Sequence, residues 1–302
     1  MPVHKPPRLR PGARIGVIAP AGSVDRAAVA AGVAALRAEG FEAELGANLF
    51  QSNGYLAGAA ELRARDLLEF FRRPDIDAIF CARGGFGSIQ LLPYLQPAQL
   101  ESPKIFVGYS DITILLNWLR QFCGLVTFHA PMVAMDLARG LSARARKHLW
   151  DVLRGEVRQW KVALGEAVKP GRAEGEIAGG CLSLLVTTLG TPYEIDTRGK
   201  ILFLEDVGEK PYRIERMLTQ LQMAGKLAQP AGVLLGDFTD CAGEGPRGLK
   251  EIFADLFAAA DYPVAMGMQA GHGPENLALP LGAAMALDSR GATLTMLEAP
   301  VV

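Results

Sequence analysis

Four short apolar runs, each closed by a turn and followed by a helix-patterned segment, constrain this chain more than any other feature. They are ARIGVIA ending at Ala19, DAIFCA from Asp77 to Ala82, KIFVG ending at Gly108, and LVTFHA with its strand ending in His129. A strand with one face in water alternates apolar and polar residues, and these runs do not. Continuous apolar strands separated by helices belong to a parallel sheet covered on both faces. The helices have their own signals. Ser23 or Asp25 can cap an Ala-rich helix that Gly40 stops, AAELRARDLLEFF has helical spacing closed by Pro74, and SARARKHLWDVLRG is amphipathic. Between the first two of these helices, FEAELG reads as a further strand. Ligands of such sheets bind at the carboxyl ends of the strands. Three unusual features fall there: the loop Arg83-Gly84-Gly85-Phe86-Gly87-Ser88, the residue Ser110, and His129.

The chain has 302 residues, half of them hydrophobic, with a net charge of −1. That length accommodates two domains, and the charge gives no sign of the basic face expected of a nucleic-acid binder. No apolar run reaches the length of a membrane span, and the proline-interrupted N-terminus does not read as a signal peptide. The cysteines at 81, 123, 181 and 241 form no CxxC pair, which argues against a metal or disulfide framework. A cytoplasmic protein is expected. The charged, glycine-rich stretch 156–175 reads as a linker between a domain at 1–155 and a second at 176–302. In the second, KILFLEDV and AGVLLGDFTD are strands, PYRIERMLTQLQMAG and LKEIFADLFAAA are helices, and AAMALDS pairs with ATLTML as a hairpin.

Ser110 sits between the apolar run Ile105–Val107 and the helical pattern ITILLNWLRQF. A serine on such a turn is lifted from the sheet, and the next backbone N–H points at whatever its hydroxyl attacks, as in a nucleophile elbow. The G-x-S-x-G pattern is incomplete, because Ile112 holds the second glycine position. An N-capping serine is the competing reading. A serine nucleophile needs a base. His4 lies in a proline-rich tail, and His148 on a charged helix reads as a surface group. His129 ends a strand. His272, between two glycines in AGHGPEN, is well placed to reach another surface. The base needs a carboxylate. Glu205 follows ILFL while still on its strand and is expected to be buried with a partner, whereas Asp206 and Asp237 read as ordinary solvated or capping acids. For an oxyanion, the N–H of Asp111 is one donor and Gly84 or Gly85 the second. RGGFGS lacks the lysine of a phosphate loop and the glycine order of a dinucleotide site, so no nucleotide cofactor is expected.

IAPAGS, ARGGFGS, KIFVGYSDIT, HAPM, GTPYEID, ILFLEDVGEKPYRIERMLTQL, GVLLGDF and GHGPENLALPLG occur in an order that resembles the serine LD-carboxypeptidases. That family includes muramoyl-tetrapeptide carboxypeptidases and microcin C self-immunity peptidases, and the resemblance runs from about Arg14 to Asp288. It implies an α/β fold with a flavodoxin-like N-terminal domain built on a parallel sheet, plus a smaller C-terminal swivelling β/β/α domain. It implies a triad of Ser110, Glu205 and His272, with Gly85 and Asp111 as oxyanion donors, and neither metal nor cofactor. The implied reaction removes the terminal D-alanine of a murein tetrapeptide in the cytoplasm during cell-wall recycling, carried out by a homodimer. Arg83 and Gly84 are candidate substrate contacts, Arg83 either anchoring the free carboxylate or tying down the glycine loop. Two departures stand out: Cys181 where asparagine is common, and Ala130 where glycine is common. Two other functions fit parts of the sequence. One is a hydrolase of acyl-phosphoramidate or acyl-sulfamoyl adenylates, stacking adenine on Trp118, Trp150 or Trp160. The other is a non-catalytic binder of muropeptides.

Overall fold

The computed structural model describes residues 3–100, 102–157, 159–242 and 247–302. The chain divides into two compact units, Met1–Glu156 with Leu277–Pro280 and Pro300–Val302, and Val157–Asn276 with Leu281–Ala299.

The first unit begins with β1 (Arg14–Ile18), α1 (Arg26–Ala38), β2 (Glu42–Leu45), α2 (Ala60–Arg72) and β3 (Ala78–Cys81). It continues with β4 (Ile105–Gly108), α3 (Thr113–Cys123), β5 (Thr127–His129) and α4 (Ala143–Leu153). In the second unit come β6 (Lys161–Ala163), β7 (Ala167–Lys169), β8 (Arg172–Cys181), α5 (Leu182–Thr187), β9 (Ile201–Val207), α6 (Pro211–Met223), β10 (Gly232–Thr239), α7 (Leu249–Leu256) and β11 (Val264–Met266). β12 (Leu279–Leu281) then joins the first sheet, and β13 (Ala284–Asp288) with β14 (Thr293–Met296) forms the hairpin expected from the sequence.

The strand order of the first sheet is β12-β5-β4-β3-β1-β2, and β1 to β5 pair in parallel. The succession 2-1-3-4-5 is that of flavodoxin-like folds, whose order reverses between β1 and β3. β3 and β4 are buried throughout, as their unbroken apolar runs require. Each fully buried Phe or Leu here stabilises the fold by about 1.5–3 kcal/mol relative to exposure. Of the two candidate caps for α1, Asp25 makes the bond, accepting from the Ala28 N–H at 2.9 Å. α3 ends at Gly124 in the left-handed conformation, where a side chain would be strained.

The second sheet runs β6-β14-β13-β8-β9-β10-β11-β7, parallel from β8 to β11 and antiparallel at both flanks. Leu202, Leu204, Val233, Leu235, Ile214 and Phe253 are among the residues of its core. The stretch read as a linker, 156–175, carries β6, β7 and the start of β8 instead. These are edge strands of three residues each and a half-exposed strand start. The charges of β6 and β7 sit on the two edge strands of the sheet, and Gly165 and Gly171 lie between these strands rather than in a free connection.

The reading of His148 as a surface group also changes. His148 is partly buried, its Nε2 lies 3.0 Å from the Ala278 carbonyl, and burial lowers its pKa. The tail around His4 is tied to the first unit through His4 N–H to Gly124 O at 2.7 Å and Arg8 N–H to Val302 O at 2.8 Å.

Candidate active site

At the end of β4 the backbone turns sharply. Gly108 is required because a Cβ there would lie 2.7 Å from Ile112 Cγ2. Tyr109 is extended, and Ser110 then adopts φ 62°. A non-glycine residue in this left-handed region is strained by roughly 1–2 kcal/mol, and such strain clusters where a side chain is being presented for function. A 3-10 turn, Ser110–Ile112, leads directly into α3. Neither helix start uses a side-chain cap, so the competing reading of Ser110 as a capping serine is set aside.

The glycine loop after β3 lies against this elbow. A Cβ on Gly84 would be 2.8 Å from Ser110 Cβ and 3.2 Å from the Asp111 nitrogen, so only glycine permits the approach. Gly85 follows at φ 112° and is exposed. The loop is fixed from several sides. Gly22 N–H donates to Gly84 O at 3.1 Å, and Arg83 Nη1 donates to Ser23 O at 3.2 Å. Arg83 therefore ties the loop to the turn after β1, while its Nε is buried without a hydrogen-bond partner among the described residues.

Three side chains to which the sequence reading gave no role complete the clamp. The fully buried Asp111 carboxylate accepts from the Ser88 N–H at 2.8 Å, and Ser88 Oγ donates back to Asp111 O at 2.5 Å. Arg63, also buried, donates to Gly87 O at 2.8 Å, Pro20 O at 2.6 Å, Gly58 O at 3.2 Å and Gln90 Oε1 at 2.7 Å. Burial pushes the Asp111 carboxyl up, opposed by the Ser88 and Gly87 hydrogen bonds and by Arg63. The available signal was Ser88 directly after GGFG. Arg63, in the first turn of an amphipathic helix, gave none.

In the second unit, β9 delivers Glu205 and Asp206 to opposite faces, as alternation requires. Glu205 is fully buried, and its Oε2 lies 2.8 Å from His272 Nδ1. With the proton on Nδ1, this bond fixes the tautomer and puts the lone pair of a neutral imidazole on Nε2. The loop bearing His272 is closed by Asn276, whose Oδ1 accepts from the Gly271 N–H at 3.1 Å. Asp206 turns to α5, accepting from Ser183 N–H and Val207 N–H, each at 2.8 Å. Burial raises its pKa. The capping half of its sequence reading holds and the solvated half does not. Asp237 was read as an ordinary acid as well. It is half-buried, its Oδ2 has no hydrogen-bond partner among the described residues, and burial followed by the charge of Glu205 pushes its pKa up to about 6.

Cys181 ends β8 opposite Glu205 and is buried beside Ser183 and Asp206. His129 is buried at the end of β5 with its ring centroid 5.7 Å from that of Tyr109. Of the tryptophans, Trp118 and Trp150 are core residues, Trp150 packing on Phe41 and Phe80. Among the described residues, no group of three or more His, Cys, Asp or Glu side chains could hold a metal ion. All four cysteines are free thiols.

Two family models match the chain: the LD-carboxypeptidase N-terminal domain over residues 15–130 and the LD-carboxypeptidase C-terminal domain over residues 174–287. A probable murein peptide carboxypeptidase of Bacillus subtilis is 41% identical, the match covering 99% of this chain and 95% of the relative. The murein tetrapeptide carboxypeptidase of Pseudomonas aeruginosa is 34% identical over 91% of this chain and 93% of its own. Among solved structures, a muramoyltetrapeptide carboxypeptidase from Oxalobacter formigenes superposes with a TM-score of 0.86 at 30% identity, covering 94% of this chain and 97% of that one.

Proposed function

The chain belongs to the LD-carboxypeptidase family, and from that premise we propose that it is a serine carboxypeptidase that releases the terminal D-alanine of murein tetrapeptides. The observation that carries the catalytic part is the buried Glu205–His272 contact at 2.8 Å. A carboxylate this deep, bonded to a loop histidine, orients a base and compensates the charge the base acquires. Ser110, strained at φ 62° beside a glycine loop, is the matching nucleophile.

In this mechanism His272 takes the proton of Ser110 Oγ as Oγ bonds to the scissile carbonyl carbon. Glu205 holds the imidazole and stabilises its charged form. The N–H groups of Gly85 and Asp111 receive the developing oxyanion. His272 then passes the proton to the departing amine as the C–N bond breaks. Water, deprotonated by His272, releases the peptide from Ser110. Arg83, with its buried Nε unsatisfied among the described residues, and the Gly84 backbone supply the binding of the substrate carboxylate.

The tetrapeptide reading is favoured over the adenylate one by the burial of Trp118 and Trp150, which removes two of the three tryptophans from stacking on an adenine. The same proposal includes a role in cell-wall recycling, a cytoplasmic location and a homodimeric state. Sedimentation of the purified protein tests the dimer. Among the described residues no helix is long and apolar enough to cross a membrane.

The decisive experiment is mass spectrometry of a muropeptide digest. Tetrapeptides are expected to lose one D-alanine and pentapeptides none. Ser110→Ala and His272→Ala should each lower kcat by about three orders of magnitude or more. Turnover near wild type in either variant would remove that residue from the mechanism, and hydrolysis of acyl adenylates in place of tetrapeptides would overturn the substrate.

A further inference from the structure

We propose that Asp237 is a second carboxylate acting on His272, a positioning residue that seats the loop carrying the imidazole and stabilises the imidazolium formed during the reaction. The proposal deepens the reading above, because it rests on His272 being the base.

The first support is a register shift. β10 pairs with β9 from Gly232 opposite Ile201 to Leu235 opposite Leu204, and pairing resumes with Phe238 opposite Asp206. Gly236 and Asp237 therefore face a single residue, Glu205. An extra residue of this kind is a β-bulge, which bends the strand and re-aims the side chain beside it. The bulge falls at the register position of the carboxylate that holds His272.

The second support is the pair of glycines flanking the histidine. A Cβ on Gly271 would lie 2.3 Å from Glu205 Oε2. A Cβ on Gly273 would lie 2.1 Å from Asp237 Oδ2. Each glycine thus makes room for one carboxylate, Glu205 on one side of the imidazole-bearing residue and Asp237 on the other. Gly271 has a positive φ of 120°, whereas Gly273 is not in the left-handed region. Space, not backbone conformation, is what closes position 273 to larger residues.

The third support is the missing compensation. Asp237 Oδ2 is buried without a hydrogen-bond partner among the described residues, an arrangement that is unfavourable unless an opposite charge is near. The charged groups that act on Asp237 are Glu205 from β9 and His272 from the loop, and the first raises its pKa while the second lowers it. Asp206, the next acid on β9, is directed at the start of α5. His272 is the cation of this set when it is protonated, so the ionised Asp237 favours the protonated imidazole.

The test is a proton NMR titration of His272 in substrate-free protein, wild type against Asp237→Asn, with the pH profile of kcat/KM beside it. Asparagine keeps the shape and removes the charge. The His272 midpoint should fall by about half a pH unit or more, the acid limb of kcat/KM should move down with it, and kcat should drop about tenfold. Superimposable titrations and pH profiles would overturn the proposal. Because the titration needs no substrate, it still reads Asp237 if tetrapeptides prove to be the wrong substrate. The geometry has its own check. Gly273→Ala should lose activity, and Asp237→Ala/Gly273→Ala should recover part of that loss, because the atom that an alanine at 273 would strike is gone. A double variant no better than Gly273→Ala would show that the glycine does not serve Asp237.

Discussion

The elbow region of the first unit and the histidine region of the second both depend on close approaches at glycine, but different atoms fill the space. At Gly84 the space is taken by Ser110 and the Asp111 backbone nitrogen. At Gly271 and Gly273 it is taken by carboxylate oxygens. The electrostatics divide the same way. Around Ser110 the carboxylate at hand, Asp111, is buried and turned into the Ser88 N–H, so what is presented is backbone dipole and the Arg83 cation. Around His272 there are two carboxylates. Acyl transfer develops negative charge on the substrate oxygen and positive charge on the imidazole. Under the proposed mechanism, each region carries the counter-polarity for one of these two charges.

The hardest break of this division is Glu205→Gln. Gamma-amide for carboxylate keeps the shape of a fully buried side chain but removes the charge and lets the imidazole settle in the wrong tautomer. By analogy with the aspartate of serine proteases, kcat should fall by roughly 10³–10⁴. A loss of less than tenfold, measured with the same tetrapeptide assay, would mean that the second region does not work through charge.

A change in the first region should act through geometry instead. Asp111→Ala strips the acceptor from the buried Ser88 N–H, and an unsatisfied buried donor costs about 1–3 kcal/mol. The glycine loop then loses one of its ties to the elbow. We expect a lower Tm and a kcat lower by about 10–100-fold with KM little changed, since oxyanion donors act in the transition state. Ser88→Ala removes the reciprocal bond to Asp111 O and should do the same more weakly, by about tenfold at most in kcat and about 1 kcal/mol in stability. If Asp111→Ala instead shifts the pH profile while leaving kcat at its optimum intact, the contrast between the two regions fails.

What could be read from the sequence follows the same line. Continuous apolar runs announced β1, β3, β4, β9 and β10, because strands buried on both faces leave no other pattern. Ser110, Glu205 and His272 could be singled out as candidates because each stands where one local pattern changes into another. The residues that were not visible act across the fold. Arg63 reaches Gly87 and Pro20 from the first turn of a helix whose periodicity looks ordinary. Asp237 ends an apolar run just as a solvated strand-end acid would, and only the pairing register against β9 reveals the bulge. β6 and β7 looked like part of a linker because short edge strands need little apolar surface. β12 pairs with a sheet whose other strands end about 150 residues earlier, a connection no local window contains.

The smallest expected effect concerns stability and has a definite sign. An aspartate in an unfolded chain titrates near about 3.9, while burial and Glu205 push Asp237 up to about 6 in the folded protein. As pH rises between these values, the unfolded chain has released its proton while the folded one still holds it. With more protons bound in the folded state, stability falls as pH rises. The contribution of Asp237 is therefore most favourable below about pH 4, is lost progressively up to about pH 6, and stays lost above that. Asp237→Asn has no proton to release and escapes this loss. Its Tm should match the wild type at pH 4 and exceed it at pH 8, by about 2–4 °C for each kcal/mol recovered. A Tm difference that does not change between pH 4 and pH 8 would show that the carboxylate is not destabilised by its surroundings. A gain at pH 8 together with the slower turnover expected of the same variant would identify Asp237 as a charge kept at the expense of stability for its effect on His272.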